Sequence, residues 1–403
     1  MGDKKINIAI FLDSELSYGG SYQYQYKILS IIKNNNKNNN NIIFKFYSNK
    51  ENAPSNFKDL GIEIKIIKEN IFQKIHRIAL SNLNYFNFQT KIKNQYTKIE
   101  KVLKSDNIDL IYFLFPSALS LSIINIPYIF TLYDMAHLRN LEFPEVSSNR
   151  IFEIRENLYS NSLKKAQKVI VASKFEKKLA VEKYKLDESR VIVLKYLPNI
   201  KEIKNLEYLD IKKKYNLKND YIFYPAQFWP HKNHIYILKA VKILKQNYNI
   251  SIDVMFSGSD KGNLQYILES AKLLGIEDLV HYLGFVKNNE IPFLYNQSLS
   301  LVMPTYLGPS NIPPLEAFAY ETPVCYPDFF FNREEFNDAV FYMNLKDPNS
   351  LAETLFKIKN DNIIRDEKIK CGKEILRTWS DKDFYQKLIN QFDNFRIISE
   401  CWK

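Results

Sequence analysis

Residues 301–324 read LVMPTYLGPSNIPPLEAFAYETPV, and this stretch decides the fold. It opens on an apolar run ending at Pro304, the composition of a strand buried on both faces. It closes on Leu315-Glu316-Ala317-Phe318-Ala319, good helix formers placed after Pro313-Pro314, which a helix tolerates in or before its first turn. Between them Gly308-Pro309-Ser310-Asn311 makes a turn of small side chains. A strand, a small-residue turn and a helix start together predict an anion site. The first backbone N–H groups of a helix have no partner within it, and its dipole favours negative charge there. A carboxylate in that turn would repel a phosphate, so Glu316 is expected to reach past it to a sugar diol.

The same alternation extends through the chain. In the second half, strands are expected at 221–225, 251–256, 280–283 and 324–326. Turns follow them at 226–234 (AQFWPHKNH), at Ser257-Gly258-Ser259 and at Gly284-Phe285-Val286. Helices are expected to 248, at 264–274, 289–295, 351–360, 363–378 and 383–395. In the first half, strands at 5–12, 42–47, 62–67, 110–115, 128–132, 168–172 and 191–194 alternate with helices at 21–33, 71–103, 151–166 and 174–184. Gly19-Gly20 precedes the first helix, and Ser173 with Glu176 has capping-box spacing. Strands alternating with helices predict two doubly wound α/β domains. The expected division is 1–199, 200–378 and a terminal helix over 379–403.

The 301–324 stretch resembles the signature of retaining, GT-B-fold glycosyltransferases of family 4 (glycosyl transferases group 1). In that family a glutamate, seven residues and a second glutamate surround a glycine-rich turn and a Pro-Leu-Glu-Ala helix start. The resemblance puts the second glutamate, which holds the ribose of a sugar nucleotide, on Glu316. The first, which contacts the transferred sugar, falls on Gly308, so the chain departs from the pattern there. Pro309, Ser310, Asn311 and Ile312 fall in the donor turn. The 226–234 loop resembles the family's basic loop. Lys232 matches the lysine that neutralises the donor diphosphate, and Gln227 stands at the arginine position. Gly19 and Gly20 match a glycine-rich loop that meets the diphosphate, and Gly258 joins the donor set. Gly284, Phe285 and Val286 match the nucleobase pocket. After the 128–132 strand, Asp134 matches part of a His-Asp-like pair facing the transferred sugar, with Tyr133 before it and His137 three residues on. A helical turn beginning at Asp134 would put 134 and 137 on one face. Pro144-Glu145 follows as a further polar candidate. The implied fold is two Rossmann-like domains facing across a cleft, with the C-terminal helix crossing back to the first.

Composition bounds the alternatives. The chain has 403 residues and 46% hydrophobic content, which suits two packed domains. Cys325, Cys371 and Cys401 show neither metal spacing nor an even framework, as in a reducing compartment. The N-terminal apolar run is too short for a signal peptide, and a cytoplasmic location is expected. Residues 110–133 form an uncharged run of 24 residues. Pro116, Pro127 and Asn125 interrupt it, so two buried strands explain it better than a membrane span. The whole net charge of +11 lies in residues 1–199. An anionic partner such as a lipid surface or a phosphorylated acceptor suits that half. No nucleic-acid-binding signature accompanies it. Within 71–103, Ile71, Phe72, Ile75, Ile78, Leu83, Tyr85, Phe86 and Phe88 either pack on the sheet or lie on an anionic bilayer.

The resemblance implies transfer of a hexosyl group, mannose- or rhamnose-like, from a GDP- or UDP-linked donor. The acceptor would be a hydroxyl of a glycan, glycolipid or lipid-linked chain in surface-polysaccharide synthesis. Lys232, His137 and Asp134 are the catalytic candidates. No cofactor or metal is expected, because a cationic side chain does the metal's job. The departures at Gly308 and Gln227 keep open a catalytically silent nucleotide-sugar-binding or scaffold protein of the same fold.

Overall fold

The computed structural model describes residues 5–12, 19–36, 41–82, 96–308 and 311–402. It divides into two compact units: Met1–Met135 with Phe152–Tyr196 and Asp381–Lys403, and Ala136–Ile151 with Leu197–Ser380. The segment 136–151, which the sequence groups with the first domain, thus packs with the second unit. Its anchoring contacts are long-range and leave no local pattern.

The first unit holds a seven-stranded sheet in the order β3-β2-β1-β4-β5-β6-β7. The strands are β1 (Ile6–Leu12), β2 (Ile42–Ser48), β3 (Ile64–Ile66), β4 (Leu110–Phe113), β5 (Tyr128–Thr131), β6 (Lys168–Val171) and β7 (Val191–Val193). Every pairing is parallel. Strand β1, INIAIFL, is buried at all positions but Asn7, as a central strand covered on both faces must be. The uncharged run over 110–133 resolves into β4, a 3-10 turn Ala118–Ser122 and β5. Among the described residues no helix is long and apolar enough to cross a membrane. The last helix, Asp381–Ser399, belongs to this unit, and its Phe392 ring lies 5.7 Å from both Phe44 and Tyr112. The expected capping box forms: Ser173 Oγ accepts from Glu176 N at 3.1 Å, and Glu176 Oε2 accepts from Ala172 N at 3.1 Å.

The second unit holds a six-stranded parallel sheet in the order β10-β9-β8-β11-β12-β13. Its strands are β8 (Tyr221–Pro225), β9 (Asp253–Ser257), β10 (Val280–Tyr282), β11 (Ser300–Val302), β12 (Val324–Pro327) and β13 (Phe341–Met343). Strand β13 and the helix Phe330–Phe336 escape a sequence reading. The aromatic run over 329–331, where the helix begins, has no turn chemistry to mark a boundary. Among the described residues of the 71–103 region are the helices Ile71–Asn82 and Lys98–Ser105. Ile71, Phe72, Ile75 and Ile78 are exposed rather than packed on the sheet. Leu83, Tyr85, Phe86 and Phe88 lie outside the described residues.

Candidate functional site

In the second sheet the chain winds outward through β9 and β10 on one side of β8, and through β12 and β13 on the other side of β11. The direction reverses between β8 and β11, and the loops leaving those two strands flank the crevice that such a reversal opens.

The β8 loop is held by its own backbone. Phe228 N–H donates to Ser259 O at 3.0 Å, and Lys232 N–H to Trp229 O at 3.0 Å. The Tyr224 hydroxyl donates to Lys232 O at 3.0 Å. Lys232 closes the 3-10 turn Pro230–Lys232, and Asn233, at φ 57° and ψ 41°, starts the helix His234–Tyr248. Asn takes this left-handed conformation more readily than most residues. Gln227, at the expected arginine position, accepts with its Oε1 from the Trp229 indole N–H at 3.0 Å. Behind the loop His234 is fully buried and stacks on Phe228, with centroids 4.3 Å apart and planes at 12°. Burial, with the Lys232 charge adding to it, pushes its imidazole down to about 3.

Gly258 leaves β9 at φ 143°, and a Cβ there would stand 2.4 Å from Ala226 O. The two loops approach more closely than any side chain allows. Gly258 N–H donates to Gly284 O at 2.9 Å, and the Tyr282 hydroxyl to Gly258 O at 3.0 Å. Gly284 is left-handed at φ 60°. Phe285 beside it is exposed, and Val286 packs on the unit's core.

From β11, Tyr306 N–H donates to His231 O at 3.0 Å, joining this loop to the Lys232 loop. Gly308 is left-handed at φ 92°, with the Asn311 side chain against it. Asn311 Nδ2 donates to Gly308 O at 2.8 Å and to the Tyr326 hydroxyl. Pro309 and Ser310 lie outside the described residues. The helix Ile312–Ala319 follows, with no side chain capping its start. Of its first four residues only Ile312 and Leu315 carry an N–H, since Pro313 and Pro314 have none. The helix start therefore offers fewer backbone donors than the sequence pattern implies. The links from Gly284 through Gly258, the 226–234 loop and Tyr306 to Asn311 make one rim along the C-terminal ends of four strands.

Glu316 lies one turn into that helix. Its Oε2 accepts from the Tyr295 hydroxyl at 2.8 Å, and Tyr295 stacks on Tyr320 with centroids 5.8 Å apart. Burial pushes the Glu316 carboxyl above its ordinary range, and the tyrosine bond offsets part of that.

The remaining candidates come from the first half of the chain. Gly19, at φ 89°, precedes the helix Gly20–Asn35, and no described atom lies within 4 Å of a Cβ built on Gly20. Asp134 pairs with Arg155 at 2.7 Å. The helical turn starts at Ala136 rather than at Asp134, so 134 and 137 do not share a helical face. His137 is buried in the turn Ala136–Leu138, within the second unit. Tyr133 donates its hydroxyl to Leu114 O at 3.0 Å.

The sequence reading missed Tyr295 and Tyr306, whose partners lie across the fold, and named Glu145 without a partner. Glu145 Oε1 accepts from His231 N at 2.9 Å and contacts His231 Nδ1. His231 adjoins the lysine that was singled out, and that adjacency is the signal that could have found it.

A family model described as "Glycosyl transferases group 1" matches residues 207–375, and one described as "Glycosyltransferase Family 4" matches residues 57–195. The chain is 26% identical over 205 residues to the O-antigen chain mannosyltransferase RfbU of Salmonella typhimurium, which is 50% of this chain and 54% of that one. It is 21% identical over 230 residues to the O-antigen chain mannosyltransferase B of Escherichia coli, covering 55% and 59%. The chain thus spans between half and two thirds of the length of these curated relatives. Among solved structures, Anabaena HepE in complex with UDP-glucose superposes with a TM-score of 0.72 at 14% identity, over 96% of this chain and 100% of that chain. That likeness carries the GT-B fold, the two family models between them span most of the chain, and the chain belongs to the glycosyltransferases of family 4.

Proposed function

We propose that the chain transfers a hexosyl group from a nucleotide diphosphate sugar to a hydroxyl of a glycan or glycolipid acceptor, with retention of anomeric configuration. The observation that carries this reading is the rim itself. Lys232 and the Gly308–Asn311 turn leave the two strands at which the second sheet reverses, with Glu316 one helical turn beyond. A diphosphate at this reversal would meet the Lys232 ammonium and the N–H groups of Ile312 and Leu315, and Glu316 would accept from the ribose. Negative charge grows on the diphosphate as the glycosidic bond breaks, so a fixed cation there lowers the barrier. The departing phosphate oxygen takes the acceptor proton on the same face of the sugar. Neither a metal nor a carboxylate pair of the glycosidase kind is invoked. The O-antigen relatives favour a mannose-like sugar in surface-polysaccharide synthesis. His137 and Asp134 are the candidates for sugar or acceptor contact.

Thermal-shift measurements with GDP and UDP, then transfer assays with GDP-mannose and UDP-hexoses, test the reading. A ligand that binds only the folded state raises the melting temperature. NMR of the product fixes the anomer, and an inverted product sinks the retaining step. Glu316→Ala is expected to cut turnover about tenfold or more, removing a hydrogen bond from a charged acceptor. Gln227 in place of a cation favours a second reading, a protein that binds nucleotide sugar without turnover. Binding with neither transfer nor donor hydrolysis would select it.

The helix Ile71–Asn82 adds a proposed membrane contact. Phe72 is 78% exposed beside Ile71 and Ile75, with Lys74 on the same helix. Sedimentation with anionic but not neutral vesicles is expected; equal recovery with both would remove the proposal.

A further inference from the structure

The segment 136–151 reaches three loops of the second unit's rim. Glu145 accepts from His231 N at 2.9 Å and meets the His231 ring. The Phe143 ring lies 6.3 Å from that imidazole and 5.3 Å from the Tyr306 ring. Arg139 lies over the Phe331 ring at 5.0 Å. The contacts therefore fall on the loops after β8, β11 and β12. His231 O takes the Tyr306 N–H, so the residue held by Glu145 is also the joint between the two loops that carry the donor candidates.

The carboxylate is expensive where it sits. The Glu145 side chain is 7% exposed, and its Oε2 is buried with no hydrogen-bond partner among the described residues. A buried ion pair with one oxygen unsatisfied contributes little to stability against an apolar replacement. What the arrangement does achieve is geometric. Lys232 is the next residue after His231; its N–H is tied to Trp229 O and its carbonyl to the Tyr224 hydroxyl. Glu145 adds an anchor one residue earlier, on the His231 N–H and ring, so the turn that presents Lys232 is held at three successive points.

We propose that Glu145 is a positioning residue of the donor site: it locks His231, and so sets where the Lys232 ammonium meets a nucleoside diphosphate. The inference rests on Lys232 binding the diphosphate. It extends that reading with a carboxylate from a segment bounded at both ends by first-unit chain, the segment that also carries His137. Gly308 deprives the β11 loop of the family's carboxylate, and Glu145 governs the same pair of loops from outside them.

The test uses the full chain and isothermal titration with GDP, GMP, UDP and UMP. Wild type is expected to prefer the diphosphate of one base over its monophosphate. Glu145→Ala should weaken diphosphate binding about tenfold and leave monophosphate binding within about twofold, because the nucleoside contacts lie away from Lys232. Glu145→Gln, which keeps an acceptor for the His231 N–H, should recover most of the diphosphate preference. His231→Gln on top of Glu145→Ala should add little, since both break one link. An unchanged diphosphate-to-monophosphate ratio in Glu145→Ala overturns the proposal, as does equal weakening of both ligands. Should the alanine variant fail to fold, Glu145→Leu, which fills the same space without an acceptor, reads the same ratio and is expected to lose the diphosphate preference. A wild type that binds GDP and GMP alike, and UDP and UMP alike, overturns the Lys232 reading itself and this inference with it.

Discussion

The two sheets share one strand order through their first six strands, yet they furnish their reversal points differently. In the first unit the reversal lies between β1 and β4, in the second between β8 and β11. Near the first reversal, among the described residues, three tyrosines cluster. Tyr24 lies 5.6 Å from Tyr133 and 5.1 Å from Tyr196. Around the second stand a lysine, left-handed glycines and a helix start lacking two of its amides. Topology supplies a crevice in both, and side chains decide what each accepts. The two crevices therefore differ in chemistry although the topology is shared. Changing each reversal point in turn tests the contrast.

The largest effect is expected at Gly258→Ala. The added methyl would overlap Ala226 O, and the backbone sits where a side chain is strained. A loss of about 3 kcal/mol in unfolding free energy is expected, measured by urea denaturation. A loss below about 1 kcal/mol would show that the β8 and β9 loops can separate cheaply.

Lys232→Ala comes next. Two prolines remove half of the first-turn amides, so on the proposed reading the ammonium would carry more of a diphosphate's charge than it would beside a complete helix start. At least a tenfold fall in kcat/KM is expected, about 1.4 kcal/mol or more of transition-state stabilisation. Unchanged kinetics would leave the second crevice without its distinguishing cation.

His234→Phe probes the support beneath that loop through pH. The imidazole is depressed to about 3 from an ordinary 6.5, so the unfolded chain binds the proton and the folded chain does not. Its contribution to stability is intact above 6.5 and drains away as pH falls toward 3. Between pH 7.5 and 5.5 wild type should lose about 1 kcal/mol from this group, and the phenylalanine variant should lose that much less. Parallel pH profiles for the two proteins would refute the buried neutral imidazole.

Legibility in the sequence followed the range of the interactions. Strands such as β8 and β1 announce themselves through unbroken apolar runs, and the helix from Ile312 through its prolines and small-residue turn. The position of Lys232 in the turn after β8 was readable because its offset from a strand end is local. The allegiance of residues 136–151 was not, since the Glu145–His231 link spans 86 positions. Nor did the pattern count amides: Pro313-Pro314 read as a helix start, and only their chemistry shows that the start is poor in donors.

The smallest expected effect sharpens the comparison most. Gly20 opens the first-unit helix with no left-handed backbone, and nothing described would touch an added methyl. On packing and propensity alone, Gly20→Ala should leave stability unchanged or raise it by about 0.5 kcal/mol, because alanine favours a helix and restricts the unfolded chain. At Gly258 the same substitution is forbidden by the protein itself; at Gly20 only a ligand could object. If donor KM or acceptor KM rises in Gly20→Ala while the melting temperature holds, the missing side chain serves a bound molecule, and the first crevice is a ligand site in its own right. If both kinetic constants and stability are untouched, the Gly19-Gly20 pair is only a helix start, and whatever the first unit binds must be sought among Tyr24, Tyr133 and Tyr196.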